Sequence, residues 1–144
     1  MIEQRFKITK SLPTAKEYLV LRKKLSWETY SSKDAKRALD SSLFCVAVYE
    51  NDTIIGMGRI VGDECLCFYI QDIMVSPAFQ NQGVGTLIMK HILTYLNQKA
   101  VKGAYIGLMS KKDKEYFYEK FGFVSRPNNT MGCGMIIPNF RPIT

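Results

Sequence analysis

The stretch Val75-Ser76-Pro77-Ala78-Phe79-Gln80-Asn81-Gln82-Gly83-Val84-Gly85-Thr86 decides the fold of this chain. A β-rich run precedes it and stops at Pro77, because proline cannot continue a hydrogen-bonded ladder. Two glycines follow, and residues 87–96 then repeat apolar side chains at helical spacing. Glycine leaves the backbone open to a ligand, and the first N–H groups of a helix have no internal partner and favour anions. The stretch therefore predicts a strand, a phosphate-binding loop and a helix, in that order.

Two common phosphate-binding loops do not match this stretch. A Walker loop carries a lysine after its last glycine, and here Thr86 follows Gly85 directly; a dinucleotide-binding loop needs a third glycine where this chain has Ile88. The pattern Gln80-x-x-Gly83-x-Gly85 resembles the coenzyme-A pyrophosphate loop of the GNAT N-acetyltransferases. A plain turn between a strand and a helix is the alternative interpretation of these six residues.

A second motif of the same family stands downstream. The family signature Phe-Tyr-Glu-x-x-Gly-Phe is matched by Phe117-Tyr118-Glu119-Lys120-Phe121-Gly122-Phe123, after a short predicted strand. Two motifs in the right order are far more specific than either alone, and the resemblance covers residues 44–124 well. One position departs from the family: many members have asparagine about seven residues before the tyrosine, and this chain has Lys111, which could meet a phosphate instead.

The apolar periodicity predicts a mixed α/β fold. Strands are predicted over residues 5–9, 43–49, 53–61, 65–75 and 104–109 and before Pro138, with helices near 14–25, 32–39, 87–99 and 112–121. The crossover helix implies a parallel pair between 65–75 and 104–109. The resemblance implies one GNAT-like domain over residues 1–144. That domain would have a mixed, mostly antiparallel sheet of about six to seven strands flanked by about four helices.

Composition narrows the possible partners. The chain has 144 residues and a net charge of +7. Its lysines are scattered, and no recognition-helix or zinc-finger pattern accompanies them, so no nucleic-acid partner is expected. Four cysteines without a Cys-x-x-Cys pair, with one histidine, argue against a structural zinc site, and no metal is expected. No apolar run approaches about 18 residues, so the sequence predicts a cytoplasmic protein without a membrane partner.

The resemblance implies acetyl-CoA as the cofactor. The N–H groups from Gln82 to Thr86 would hold its pyrophosphate with help from Gln80, and its pantetheine arm would pair with Ile73–Val75. The implied cofactor-binding residues are Ile73, Met74, Val75, Gln80, Asn81, Gln82, Gly83, Val84, Gly85, Thr86 and Lys111. Tyr118 would be the family-like proton donor to the departing thiolate, and a packed aromatic is the alternative reading of this residue.

Asp72 is the candidate base. If alternation runs uninterrupted, it shares a strand face with Leu66, Phe68, Ile70 and Met74, and desolvation there would make it a better proton acceptor near neutral pH. An ion pair with a nearby arginine is the alternative, and a β-bulge would change the face that Asp72 occupies. Glu64 is the weaker candidate base.

The acceptor is the least explicit part of the sequence. Candidate substrate-binding residues are Trp27, Tyr30, Phe68 and Tyr69, with core packing as the alternative for the first two. A small-molecule primary amine is favoured, and acidic groups suit a cationic acceptor. The alternatives are a protein N-terminus or lysine as acceptor, and a non-catalytic acyl-CoA sensor on the same fold. A homodimer is a further possibility.

Overall fold

The computed structural model describes residues 5–143. In it, the first two helices begin at residues whose side chains cap a helix. Helix α1 (Ala15–Lys24) begins with a capping box, because the Thr14 hydroxyl accepts the Glu17 N–H while the Glu17 carboxylate accepts the Thr14 N–H. Ser31 caps helix α2 (Ser32–Asp40) through its hydroxyl in the same way. Both helices thus begin where the polar side chain satisfies otherwise unpaired N–H groups.

Five strands form one sheet in the order β1-β2-β3-β4-β5. Neighbouring strands are antiparallel except β4 and β5, which are parallel, as the crossover helix between them predicts. The mixed, mostly antiparallel α/β architecture is therefore confirmed. The strands are β1 (Lys7–Thr9), β2 (Phe44–Glu50), β3 (Thr53–Gly62), β4 (Cys67–Val75) and β5 (Tyr105–Gly107), and the two further helices are α3 (Val84–Lys99) and α4 (Glu115–Glu119).

The predicted strand count of six to seven is too high for the described residues, which contain five strands. The predicted strand before Pro138 is absent. Its apolar side chains Met135, Ile136 and Ile137 are largely exposed, and their backbone pairs with no neighbouring strand among residues 5–143. An apolar run becomes a strand only where a hydrogen-bonded neighbour is present, and sequence alone does not supply that information.

Helices cover both faces of the sheet. Helices α1 and α2 bury one face in a core that includes Tyr18, Leu21, Leu39, Met57 and Met74. Helix α3 packs on the other face, where a Cβ atom at Gly58 would lie 2.7 Å from both the Ile73 and the Ile88 side chains. The missing Cβ therefore permits the close approach of α3 to β3.

A β-bulge divides β4. Met57 pairs with Met74, whereas Arg59 pairs with Gln71, so β4 carries one extra residue opposite Gly58. At the bulge Asp72 adopts a left-handed backbone, with φ of 57°. The prediction of one shared face from Leu66 to Met74 is therefore wrong. Ile70 and Phe68 pair with strand β3 residues on the α3 face, whereas Asp72 and Met74 lie on the α1/α2 face.

Strand β4 has an open edge around the bulge. Strand β5 pairs only with Cys67–Tyr69, so among residues 5–108 no strand borders residues 70–75 on that side. The chain divides into two compact units, one that ends at Leu108 and one that begins at Met109. That residues 1–144 act as one domain stays a prediction.

Candidate active site

The loop that follows β4 is closed by its own side chains. After a short 3₁₀ turn (Pro77–Phe79), the Gln80 side-chain Nε2 donates to the Val75 carbonyl at 3.0 Å. The Gln82 Nε2 donates to the Ala78 carbonyl, also at 3.0 Å. The two glutamines thus use their amide groups to hold the turn.

Gly83 sets up the N-terminus of helix α3. It is the N-cap with φ of 85°, a left-handed conformation that strains any residue with a Cβ atom. No side chain caps this helix, and the Leu87 N–H donates to the Gly83 carbonyl at 3.0 Å. The N–H groups of Val84, Gly85 and Thr86 consequently have no helical partner. This donor set fits a phosphate group, since the helix dipole adds partial positive charge there.

Arg5 supports the loop, and sequence reasoning missed it. Its Nη1 donates to the Gln82 Oε1 at 3.1 Å, while Glu50 pairs with its Nη2 at 3.1 Å. The guanidinium carbon also lies 4.8 Å from the centre of the Phe6 ring and 5.9 Å from that of Phe79. No local signal could have found this contact, because 77 positions separate the two residues.

Asp72 lies at the centre of a buried charge cluster. Arg22 Nη1 approaches its Oδ1 at 2.9 Å, and Arg59 Nε approaches its Oδ2 at 2.8 Å. The Tyr18 hydroxyl donates to the same Oδ2 at 2.8 Å. Of the alternatives for Asp72, the structure thus shows the ion pair with arginine. Arg59 is two positions after Met57, so the two share a face of an otherwise apolar strand. A charged residue at such a position is the sequence signal that could have identified Arg59 as a partner of Asp72.

The cluster has electrostatic consequences. The Asp72 carboxylate is the counter-ion that the structure gives to two buried guanidinium groups, Arg22 and Arg59. Burial, and then the charge of Asp72, raises the pKa of Tyr18 to about 12. The Tyr18 phenol therefore keeps its proton throughout the neutral range and acts as a hydrogen-bond donor.

The α1–α2 connection wraps Arg22 in aromatic rings. The guanidinium carbon lies 5.5 Å from the Trp27 ring centre and 5.0 Å from that of Tyr30. Arg22 Nε also donates to the Glu28 carbonyl at 2.6 Å. Trp27 is half-buried against the α1/α2 core, and Tyr30 is 53% exposed. Both predicted acceptor-binding residues thus lie beside the same charged group.

The two aromatic candidates on β4 differ. Phe68 is fully buried on the α3 face of the sheet, on the other side from the Asp72 cluster, and its role as a substrate-binding residue stays a prediction. The bulge separates the face of Phe68 from that of Asp72. Tyr69 is half-buried and pairs with Val61 and Gly107, on the opposite side of the strand from Phe68.

The second unit contains Tyr118 and Lys111. Tyr118 lies on α4 between the rings of Phe117 and Phe123, with ring centres at 5.0 Å and 6.2 Å. Burial raises the pKa of Tyr118 above its ordinary value, so the phenol stays protonated at neutral pH and can serve as an acid. Lys111 is exposed, and its carbonyl accepts the Lys114 N–H in the turn before α4.

Residues 5–143 contain no group of three or more histidine, cysteine, aspartate or glutamate side chains placed to hold a metal ion. Nor does any helix in that range have the length and apolar character needed to cross a bilayer.

Comparisons with known proteins agree with the motifs. The family model described as "Acetyltransferase (GNAT) domain" matches residues 14–137. A crystal structure of a Staphylococcus aureus protein, described as of unknown function and a probable acetyltransferase, is 36% identical with a TM-score of 0.85 and covers 92% of this chain and 98% of that one.

Curated relatives match over part of their own length. An uncharacterized N-acetyltransferase of Prochlorococcus marinus is 29% identical over 107 residues, which are 72% of this chain and 58% of that protein. GCN5-related N-acetyltransferase 3, chloroplastic, of Arabidopsis thaliana is 31% identical over 106 residues, 69% of this chain and 44% of that protein. The chain thus spans about half the length of these two relatives.

Proposed function

Because the chain belongs to the GNAT acetyltransferase family, we propose that it is an acetyl-CoA-dependent N-acetyltransferase acting on a primary amine. The acceptor is a small molecule that attacks the thioester directly in a ternary complex. The observation that carries the proposal is the uncapped N-terminus of α3 behind the left-handed Gly83, a donor set built for a phosphate group.

The coenzyme would lie along two features of the first unit. Its pyrophosphate would take the N–H groups of Val84, Gly85 and Thr86, with the turn of Asn81 and Gln82 beside it. Its pantetheine arm would pair with the open edge of β4 at Ile73–Val75, where the sheet leaves backbone groups unpaired. Lys111 is the proposed additional phosphate contact, through its charge.

The proposed chemistry needs a proton donor. The amine nitrogen bonds to the thioester carbon as the carbon–sulfur bond breaks, and the leaving thiolate takes a proton. Tyr118 supplies that proton from its phenol, which its raised pKa keeps protonated, and is then reprotonated from water. A backbone N–H at the β4 edge would polarise the acetyl carbonyl as its negative charge develops.

The proton that leaves the amine needs a separate route. We propose that it passes through water, with Asp72 as the fixed charge that orders this side of the site. Both carboxylate oxygens of Asp72 already accept hydrogen bonds, Oδ1 from Arg22 and Oδ2 from Arg59 and Tyr18. Glu64, the weaker candidate base, is exposed and lies 3.5 Å from Lys99 Nζ.

Thiol release from acetyl-CoA over a panel of amines tests the proposal. Tyr118→Phe should lower kcat by about a hundredfold or more, the usual size of a general-acid contribution. The matched control is Tyr116→Phe on the same helix, because Tyr116 is exposed and should leave kcat unchanged. Tight acetyl-CoA binding without turnover on any amine would instead identify a sensor, and turnover only on peptides would identify a protein acceptor.

The cellular location and the oligomeric state of the protein stay predictions. The cytoplasmic location rests on the sequence alone, and the Arabidopsis relative is named as chloroplastic. The homodimer is likewise a proposal, to be measured by sedimentation.

A further inference from the structure

The buried cluster around Asp72 contains two positive charges and one negative charge. Two guanidinium groups, Arg22 and Arg59, surround one carboxylate, and the residues are 7%, 8% and 5% exposed respectively. Buried charges in proteins are normally paired, because an uncompensated one loses its hydration. Within this buried cluster two guanidinium groups therefore share a single carboxylate.

Arg22 also keeps a free donor. Its Nε donates to the Glu28 carbonyl, and its Nη1 to Asp72 and Tyr18. Its Nη2 donates to no described residue. No buried side-chain nitrogen or oxygen of the described residues lacks a hydrogen-bond partner, so this amino group keeps its remaining accessibility to solvent. A side chain more than nine-tenths buried thus keeps one amino group without a partner among the described residues.

Aromatic rings lie beside the same guanidinium group. The Trp27 and Tyr30 rings lie 5.5 Å and 5.0 Å from the guanidinium carbon, which fixes the plane of the group while Tyr30 stays half-exposed. A fixed guanidinium with an open edge suits the oxygens of a carboxylate or phosphate. Asp72 directly precedes Ile73 in the segment proposed to hold the pantetheine arm, so such a group would lie near the reacting thioester.

We propose that the acceptor amine carries an acidic group, a carboxylate or a phosphate, that binds the Nη2 edge of Arg22 between Trp27 and Tyr30. This inference rests on the proposed acetyltransferase function and names the substrate class. It replaces the expectation of a purely cationic acceptor, because the charge of Asp72 is already taken up by two arginines.

Paired acceptors test the inference. Phenylalanine and phenethylamine differ only in a carboxylate, and 2-aminoethyl phosphate and ethanolamine only in a phosphate. The acidic member of at least one pair should have a kcat/KM about tenfold or more above that of the amine without the acid group, and the pair with the larger ratio identifies the acid. Turnover in which the acidic member of neither pair is favoured would overturn this inference and leave the proposed function standing. No thiol release with any amine would overturn both.

Variants connect the preference to Arg22. Arg22→Lys keeps the charge beside Asp72 but removes the forked donor, so KM for the acidic acceptor should rise about tenfold while KM for acetyl-CoA stays the same. Arg37→Lys, on the exposed face of α2, is the matched control. Tyr30→Ala, at an exposed position, tests the same edge if Arg22→Lys does not fold. An unchanged acid preference in the folded variant would contradict the assignment.

Discussion

At the scale of single residues, Asp72 determines how the α1/α2 side of the sheet is held together. Its two oxygens accept from Arg22, Arg59 and Tyr18, which come from two different elements. Asp72→Asn keeps the shape but removes the charge, and it should lower the free energy of unfolding by about 3–5 kcal/mol, as for a broken buried ion pair. Urea unfolding measures this change.

The control for that measurement is Asp52→Asn, because Asp52 lies in the exposed turn between β2 and β3. It should change the free energy of unfolding by less than about 0.5 kcal/mol. A loss of activity in Asp72→Asn with full stability would contradict the structural role and favour Asp72 as the base.

The residue scale is also where the sequence was least informative. Tyr18 and Arg22 are one helical turn apart, but their partner Asp72 lies 50 or more positions away. The backbone is left-handed at Asp72, but no glycine in the sequence indicates this conformation there. Simple alternation therefore predicted that Asp72 lies on the same face as Phe68. The apolar neighbours of Asp72 in the sequence indicated that an aspartate was unusual on this strand. Only the pairing register of β3 and β4 shows which face Asp72 occupies.

At the scale of elements, the left-handed Gly83 links the loop to helix α3. Gly83→Ala should cost about 1–2 kcal/mol of stability through backbone strain, and it should raise KM for acetyl-CoA about tenfold by disturbing the N–H groups. Gly103→Ala is the matched control, because Gly103 has φ of 82° and open space around it.

Both glycine variants should lose similar stability in thermal unfolding, and only Gly83→Ala should change KM for acetyl-CoA. Equal KM effects in the two variants would show that strain, rather than a ligand at α3, is responsible.

Elements were the most predictable level. The Thr14–Glu17 capping box and Pro77 act within a few residues of the boundaries that they set, so the sequence contained the information needed. The parallel pairing of β4 and β5 followed from the crossover helix. The strand before Pro138 did not form because pairing depends on a neighbour elsewhere in the chain or beyond it.

At the scale of the whole molecule, a bound coenzyme should stabilise the fold. At a concentration about a hundred times its Kd, acetyl-CoA should add about 2.7 kcal/mol and raise Tm by about 5–10 °C. ADP at the same concentration should give a smaller shift, because it has the pyrophosphate but no arm to pair with β4. Equal shifts would mean that the net charge of +7 attracts any polyanion, without a pantetheine site.

The β-bulge of β4 has a consequence for solubility. Residues 70–75, which contain the bulge, pair with no strand on the β5 side among residues 5–108, and a regular bare edge is a template on which other chains can aggregate. The extra residue at Asp72 breaks the even spacing of the backbone groups, so a straight foreign strand finds poor register there. The proposed pantetheine arm, which is short and flexible, would need only a few of those groups. The same irregularity would then leave the edge open to a small ligand while it disfavours pairing with another protein strand.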